Sequence, residues 1–99
     1  MRTISHKALS EFWTEHADAE GPLRAWLQEM LHSCFATPQD IKNRYSTASF
    51  IGDNRVIFNI GGNKYRLVVY IRYELQLCYV KFIGTHAEYD RVNVLNIEK

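Results

Sequence analysis

The segment GTHAEYD, residues 84–90, places a histidine, two acids and a tyrosine directly after a run with the pattern of a β-strand. Histidine has an ordinary pKa close to neutral pH, so His86 is suited to donate or accept a proton in catalysis. Thr85 and Glu88 also have the Thr-x-x-Glu spacing of a helix capping box. The segment is therefore interpreted either as the start of a last helical turn or as one wall of an active site.

Cations and tyrosines alternate with apolar residues along the strand-like runs that precede this segment. In a strand, successive side chains point to opposite faces of the sheet. One face is predicted to pack on the core: Tyr65, Leu67, Val69, Ile71 and Tyr73, with Val56, Phe58, Ile60, Cys78, Val80 and Phe82 of the neighbouring runs. The opposite face gathers Lys64, Arg66, Val68, Tyr70 and Arg72, with Arg55, Ile57, Asn59, Tyr79, Lys81 and Ile83.

This polar face has two interpretations. An ordinary solvated sheet surface is the simpler one, since arginine and lysine are mostly exposed residues. Interleaved arginine and tyrosine can also neutralise phosphates and stack on unpaired bases, which indicates RNA or single-strand binding. A metal site is a weaker alternative, because His86 and Asp90 have i, i+4 spacing without a third ligand. No dinucleotide, Walker or nucleophile-elbow motif occurs in the sequence, so neither a metal nor a cofactor is expected.

Size and charge limit the classes of function. The 99 residues are 46 % hydrophobic, which predicts one compact domain over residues 1–99. The net charge is only +1, but residues 55–86 carry five basic residues against one acid, so positive charge concentrates in the predicted sheet. No run has the length and apolarity of a membrane helix, and the N-terminus lacks a signal-peptide pattern, so a cytosolic protein is expected. Cys34 and Cys78 are then expected to be reduced apolar fillers.

Two amphipathic helices are predicted to follow a short first strand over residues 1–4. Ser5 is expected to cap the first helix, whose apolar stripe runs from Leu9 to His16 and ends before DAEGP. Pro22 suits the first position of the second helix, whose stripe runs from Leu23 to Leu31. Thr37 is expected to cap a further short helical turn. No role is predicted for the three histidines of this region, His6, His16 and His32.

The second half of the chain predicts antiparallel strands joined by tight turns. Asp53-Asn54 and the GGN stretch favour hairpins, and a third turn is expected near residues 74–76. The resulting order is one strand, two helices, a run of antiparallel strands and a short C-terminal helical turn. This order predicts an α+β fold in which both helices pack on one face of a mainly antiparallel sheet.

The stretches RVIFNIGGNKYRLVVYI and FIGTHAEYD resemble the HigB toxins of bacterial type II toxin–antitoxin systems, within the RelE/ParE superfamily. The likeness extends over nearly the whole chain and includes EFW in the first helix and the TPQDIK turn. It implies the RelE/ParE-like fold and a ribosome-dependent mRNA endonuclease that cleaves the messenger in the ribosomal A site. It also implies a helix-turn-helix antitoxin that neutralises the toxin and through which the complex represses its own operon.

The resemblance suggests roles for individual residues. Metal-free RNA cleavage requires a deprotonated 2′-hydroxyl, a stabilised phosphorane and a protonated 5′-oxygen. His86 is assigned a proton transfer, Arg66 and Lys64 the stabilisation of charge, and Tyr89 a stacking or hydrogen-bonding contact. The remaining polar residues are assigned to RNA binding: Asn59 and Asn63, which would orient the phosphate or ribose, and Arg55, Tyr70, Arg72, Tyr79 and Lys81.

Two departures from the better-studied relatives leave questions open. This chain has His86 where those relatives have arginine, so the sequence does not settle which residue is the acid and which the base. Its near-neutral charge indicates weak affinity for free RNA. Two other functions also stay open: a ParE-like protein that inhibits gyrase without nuclease activity, and a non-catalytic RNA-binding module that uses the same face.

Overall fold

One mixed five-stranded sheet is the centre of the computed structural model, which describes residues 1–4 and 7–91. Its order is β1-β5-β4-β3-β2, with β1 parallel to β5 and every other neighbouring pair antiparallel. The prediction of an α+β fold with a mainly antiparallel sheet is confirmed. The strands are β1 (Arg2–Ile4), β2 (Ser49–Ile51), β3 (Arg55–Ile60), β4 (Tyr65–Arg72) and β5 (Leu77–Thr85).

The helices are α1 (Lys7–Glu15), α2 (Glu20–His32), α3 (Pro38–Arg44) and α4 (His86–Asp90), with 3₁₀ turns at Ala17–Ala19 and Tyr73–Leu75. The prediction that α2 begins at Pro22 is wrong. The Ala17–Ala19 turn already supplies helical backbone and leads directly into Glu20. Pro22 therefore lies inside the first turn, where its missing N–H would have no partner within the helix in any case.

No helix within residues 1–4 and 7–91 is long and apolar enough to cross a membrane.

The core lies between the helices and one face of the sheet. Leu9, Leu23, Trp26, Met30 and Ile41 are buried from the helical side. Leu31, which the stripe pattern placed with them, is 43 % exposed. The sheet contributes the buried residues Val56, Phe58, Ile60, Tyr65, Leu67, Val69, Ile71, Cys78 and Val80 to the same core.

Local sequence signals correctly predict most of the turns. The Thr37 side chain accepts a hydrogen bond from the Asp40 amide and begins α3 with a capping box. Asp53 and Asn54 have φ values of 68° and 61°, so both adopt the left-handed conformation that the β2–β3 hairpin requires. Gly61 and Gly62 do the same in the β3–β4 turn. The predicted helix cap at Ser5, and His6 beside it, lie outside the described residues.

A β-bulge in β5 changes which of its residues face the core. Val69 pairs with Val80, whereas the adjacent Val68 pairs with Phe82, so Lys81 is the extra residue of the bulge. Beyond that point the alternation of side chains is reversed. Phe82 therefore lies on the outer face and Ile83 packs against the core, which is the opposite of the predicted arrangement.

The two cysteines differ in their surroundings. Cys78 is buried, and burial raises the pKa of its thiol to about 12. Cys34 is exposed after α2. The prediction of an apolar filler is therefore confirmed for Cys78 and wrong for Cys34.

Candidate active site

A capped helix start holds the GTHAEYD segment in place. Thr85 Oγ1 accepts a hydrogen bond from the Glu88 amide at 3.1 Å, and the Thr85 amide donates to Glu88 Oε1 at 2.8 Å. The hydrogen bond from the Thr85 backbone holds the pKa of the Glu88 carboxyl below its usual value. The predicted capping box is therefore confirmed, and it fixes where α4 carries His86 and Tyr89.

Arg66 reaches across from β4 to both of these α4 residues. Its Nη2 lies 2.8 Å from His86 Nε2, and its Cζ lies 5.2 Å from the centre of the Tyr89 ring. A guanidinium carries only donors, so His86 Nε2 must accept this hydrogen bond. In this contact the Nε2 lone pair is directed at Arg66. The arrangement brings a proton acceptor, a fixed positive charge and an aromatic face together.

Arg66 has one polar neighbour and one glycine neighbour across the sheet. Across the sheet, Arg66 pairs with Asn59 of β3 on one side and with Gly84 of β5 on the other. Asn59 Nδ2 donates to the Thr47 carbonyl at 3.2 Å. Within residues 1–4 and 7–91, Asn59 Oδ1 and Arg66 Nε are buried without a hydrogen-bond partner. A phosphate can accept further hydrogen bonds from the guanidinium here, because Arg66 has donors that these contacts do not use.

Lys64 lies in the β3–β4 turn rather than beside His86. It forms an ion pair with Asp18 of the 3₁₀ turn before α2. The hydroxyl of Tyr65 donates to the other oxygen of the same carboxylate. The hydrogen bond from Lys64, followed by that from Tyr65, holds the pKa of Asp18 below its usual value, and the bond to Asp18 raises the pKa of Lys64. Lys64 therefore keeps its positive charge in the free protein, with the Asp18 carboxylate compensating it.

The residues assigned to RNA binding are spread along the sheet. Asn63 is exposed in the β3–β4 turn beside Lys64. Tyr70 lies four residues from Arg66 along β4, or ~13 Å at the rise of a strand. Tyr70 and Tyr79 are paired in register, with ring centres 6.1 Å apart, and Lys81 Nζ lies 5.4 Å from the Tyr79 ring. Two other members of the set are held differently: Arg55 is buried at 2 % exposure, and Arg72 forms an ion pair with Glu74 at 2.9 Å.

Two residues near the site, Asp18 and Phe82, were not predicted to be there. Asp18 was interpreted only as part of a helix break, and its contact with Lys64 spans 46 positions, so no local pattern reveals it. Phe82 was assigned to the core because a bulge has no clear sequence signal. Gly84 lies under the Phe82 ring, since a Cβ added at Gly84 would come within 2.6 Å of Phe82 Cζ.

A sequence profile of the HigB toxin family, described as the RelE-like toxic component of a toxin–antitoxin system, matches residues 19–92. This span includes Lys64, Arg66, His86 and Tyr89 and excludes β1 and α1.

Three curated proteins are similar to nearly the whole chain. The mRNA interferase toxin HigB of Escherichia coli strain K12 is 29 % identical over 92 residues, covering 91 % of this chain and 88 % of its own length. The mRNA interferase HigB of Shigella flexneri has the same identity and coverage. The mRNA interferase HigB of Escherichia coli O6:H1 is 26 % identical over 94 residues, covering 93 % of this chain and 91 % of its own length.

Proposed function

The chain belongs to the HigB toxin family, and from that premise we propose that it is a ribosome-dependent mRNA endonuclease, with residues 1–99 acting as one toxin domain. The observation that supports this most directly is the contact between Arg66 and His86 at 2.8 Å, beside Tyr89. Three relatives that cover about nine-tenths of the chain carry the name mRNA interferase.

The proposed reaction uses the 2′-hydroxyl of the messenger as the nucleophile. Its oxygen attacks the adjacent phosphorus, the bond to the 5′-oxygen breaks, and the products end in a cyclic phosphate and a 5′-hydroxyl. When Arg66 Nη2 turns from His86 to the phosphate, the freed Nε2 of His86 accepts the 2′-hydroxyl proton while water protonates the leaving 5′-oxygen. In the alternative, protonated His86 donates to the leaving oxygen while water takes the 2′-hydroxyl proton. Arg66 stabilises the charge that develops on the non-bridging oxygens. Tyr89 contacts the nucleotide at the site by stacking or hydrogen bonding.

Lys64 and the two asparagines have secondary roles in this scheme. Lys64 reaches a phosphate only by leaving Asp18, so its positive charge becomes available as the substrate binds. Asn59 lies opposite Arg66, which supports a role in orienting the phosphate or ribose, and Asn63 would act in the same way from the turn. Tyr70, Arg72, Tyr79 and Lys81 bind flanking RNA, whereas the prediction that Arg55 binds RNA is wrong, because its side chain is buried in the sheet.

The charge of the protein supports a requirement for the ribosome. Phosphate contacts provide most nucleic-acid affinity, and a chain with a net charge of +1 has few cations to offer free RNA. The ion pairs of Lys64 with Asp18 and of Arg72 with Glu74 reduce that number further. The ribosome would supply the messenger at a high local concentration in the A site, which implies action in the cytoplasm.

Membership of the family implies an antitoxin partner. We propose that this partner is a helix-turn-helix protein of the HigA type, and that the toxin meets operator DNA only through it. Two alternatives are weaker. The names of the relatives favour mRNA cleavage over gyrase inhibition. The pairing of His86 with Arg66 favours a nuclease over a passive RNA-binding module.

Primer extension on messages from cells that briefly express the protein tests the proposal. The expected result is new 5′ ends inside translated reading frames, which disappear when the start codon of the same message is removed. Efficient degradation of naked RNA by the purified protein would contradict the requirement for the ribosome. Intact messages together with inhibited DNA supercoiling would favour the gyrase alternative.

A further inference from the structure

Phe82 occupies an unusual position for a large apolar residue of this sheet. It lies on the outer face, because the bulge at Lys81 reverses the side-chain alternation of β5. It is absent both from the buried core and from the partly buried residues that pack against that core. Its side chain is partly exposed. The helix-facing core therefore does not explain why an aromatic residue is present here.

The ring lies toward the candidate active site. A Cβ built on Gly84 would approach Phe82 Cζ to 2.6 Å and Cε2 to 3.1 Å, so the ring extends along β5 over the bare glycine. Gly84 pairs directly with Arg66 on β4. His86 follows two residues further along the chain. The edge of the ring thus lies over a residue whose backbone is one strand spacing, roughly 5 Å, from that of Arg66.

The row beneath the ring gives it firm support. Phe82 pairs with Val68, which pairs with Ile57, so three apolar residues lie side by side across β5, β4 and β3. Val68 is fully buried and Ile57 is 3 % exposed. A ring backed by buried aliphatic side chains keeps its orientation, and an aromatic face with a fixed orientation can stack on a base without ordering cost.

From this geometry we infer that Phe82 is the stacking platform for a nucleobase next to the scissile phosphate. The inference rests on the proposed function, because it assumes that the phosphate binds at Arg66 and His86. A nucleotide carries its base one ribose away from its phosphate, so a phosphate at Arg66 brings a neighbouring base over Gly84 and the ring. The ligand class is a single-stranded, unpaired nucleobase, and stacking tolerates any of the four bases.

The test uses programmed ribosomes and an mRNA that the parent protein cuts, under single-turnover conditions. Phe82→Leu keeps an apolar side chain on the Val68 row but removes the aromatic face. It should raise the toxin concentration for half-maximal rate about 5- to 100-fold, the usual effect of losing one base stack, and change the limiting rate little. Phe82→Tyr should retain near-parent values. Phe50→Leu is the matched control, because Phe50 is a 38 % exposed phenylalanine on the far strand β2, and it should behave like the parent.

Abasic substitutions in the messenger separate stacking from a structural role. Removing one of the two bases that flank the scissile phosphate should raise the concentration of the parent protein needed for half-maximal rate by a similar factor. The same removal should leave that concentration unchanged for the Phe82→Leu variant. Equal abasic penalties in parent and variant, or parent-like cleavage by Phe82→Leu, would overturn the inference. If Phe82→Leu does not fold, cleavage of the two abasic messengers by the parent protein is the test. Full activity of the parent on both messengers would also overturn the inference.

The proposed function and the inference fail in different ways. If the parent protein cuts no message on the ribosome, the proposed nuclease function is wrong. In that case the binding of a fluorescein-labelled single-stranded RNA hexamer at low salt still tests the platform. Weaker binding by Phe82→Leu than by the parent and Phe50→Leu supports it, and equal binding by all three rejects it.

Discussion

Lys64 and Asp18 form an ion pair that joins the β3–β4 turn to the 3₁₀ turn before α2. Both side chains are about half exposed or more, so the pair adds little to folding stability. The ion pair matters for function instead. It keeps Lys64, which lies two residues from Arg66, bound to Asp18 and so unavailable to a phosphate.

Asp18→Asn should release this lysine. The asparagine carbonyl can still accept the Tyr65 hydroxyl, so the fold should be retained, while the partner charge of Lys64 is removed. Since an exposed ion pair is weak, the toxin concentration for half-maximal cleavage should fall only modestly, about 2- to 5-fold. Single-turnover cleavage on programmed ribosomes measures this. The double variant Asp18→Asn/Lys64→Ala should lose the gain, and a gain that persists without the lysine would exclude Lys64 as its source.

His86→Gln removes proton transfer but keeps a hydrogen-bonding side chain at the same position. The cleavage rate should fall about 10²–10⁴-fold, the usual contribution of general acid–base catalysis. Arg66→Ala should cost about 10²–10³-fold by leaving the phosphorane charge uncompensated. Single-turnover cleavage on programmed ribosomes measures both losses, with variants whose circular dichroism and melting match the parent. Near-parent cleavage by His86→Gln would mean that His86 has no catalytic role and that the GTHAEYD segment serves only as the start of α4.

Trp26→Ala tests the assignment of the two faces of the sheet. Trp26 is 3 % exposed and packs edge-on against Phe58, with ring centres 5.5 Å apart, so its truncation should cost about 3–5 kcal/mol of unfolding free energy. Arg66→Ala should lower the free energy of unfolding far less, because Arg66 is only partly buried and does not belong to the hydrophobic core. Urea titrations of both variants measure the difference. A larger loss for Arg66 would place it in the core.

Acid should weaken the fold through Glu88. Its pKa is lowered in the folded protein, so the unfolded state takes up protons first as pH falls. The carboxylate therefore stabilises the protein above its ordinary pKa of about 4.5, and this contribution disappears as pH falls through the lower folded value. Glu88→Gln should melt slightly below the parent at pH 7, and the gap should narrow as pH falls below the ordinary pKa of about 4.5, in thermal melts followed by circular dichroism. A gap that stays constant with pH would assign the effect to packing.

Local chemistry predicts much of this structure. Thr37 with Asp40, and Thr85 with Glu88, identify two helix starts, because a capping box depends only on residues three apart. Asp53 and Asn54 identify the first hairpin, since few residues tolerate positive φ. Strand alternation correctly predicts the faces of β3 and β4 and, through them, the neighbourhood of Arg66.

The remaining features depend on contacts between distant segments. The ion pair of Lys64 with Asp18 joins residues that no short pattern connects. The bulge at Lys81 is a property of how β5 pairs with β4, so the sequence of β5 alone placed Phe82 on the wrong face. The start of α2 was also misplaced, because the 3₁₀ turn before it has no strong signal of its own.

The parallel pairing of β1 with β5 has a consequence for the order of events during synthesis. Arg2 pairs with Leu77, so the first strand made must wait until almost four-fifths of the chain has been translated before it has a partner. Arg66 and His86 also come late, and they meet only when β4 and β5 have paired. Contacts so distant in sequence slow folding. The β1–β5 pair and the contact between Arg66 and His86 therefore both form only after most of the chain has been made.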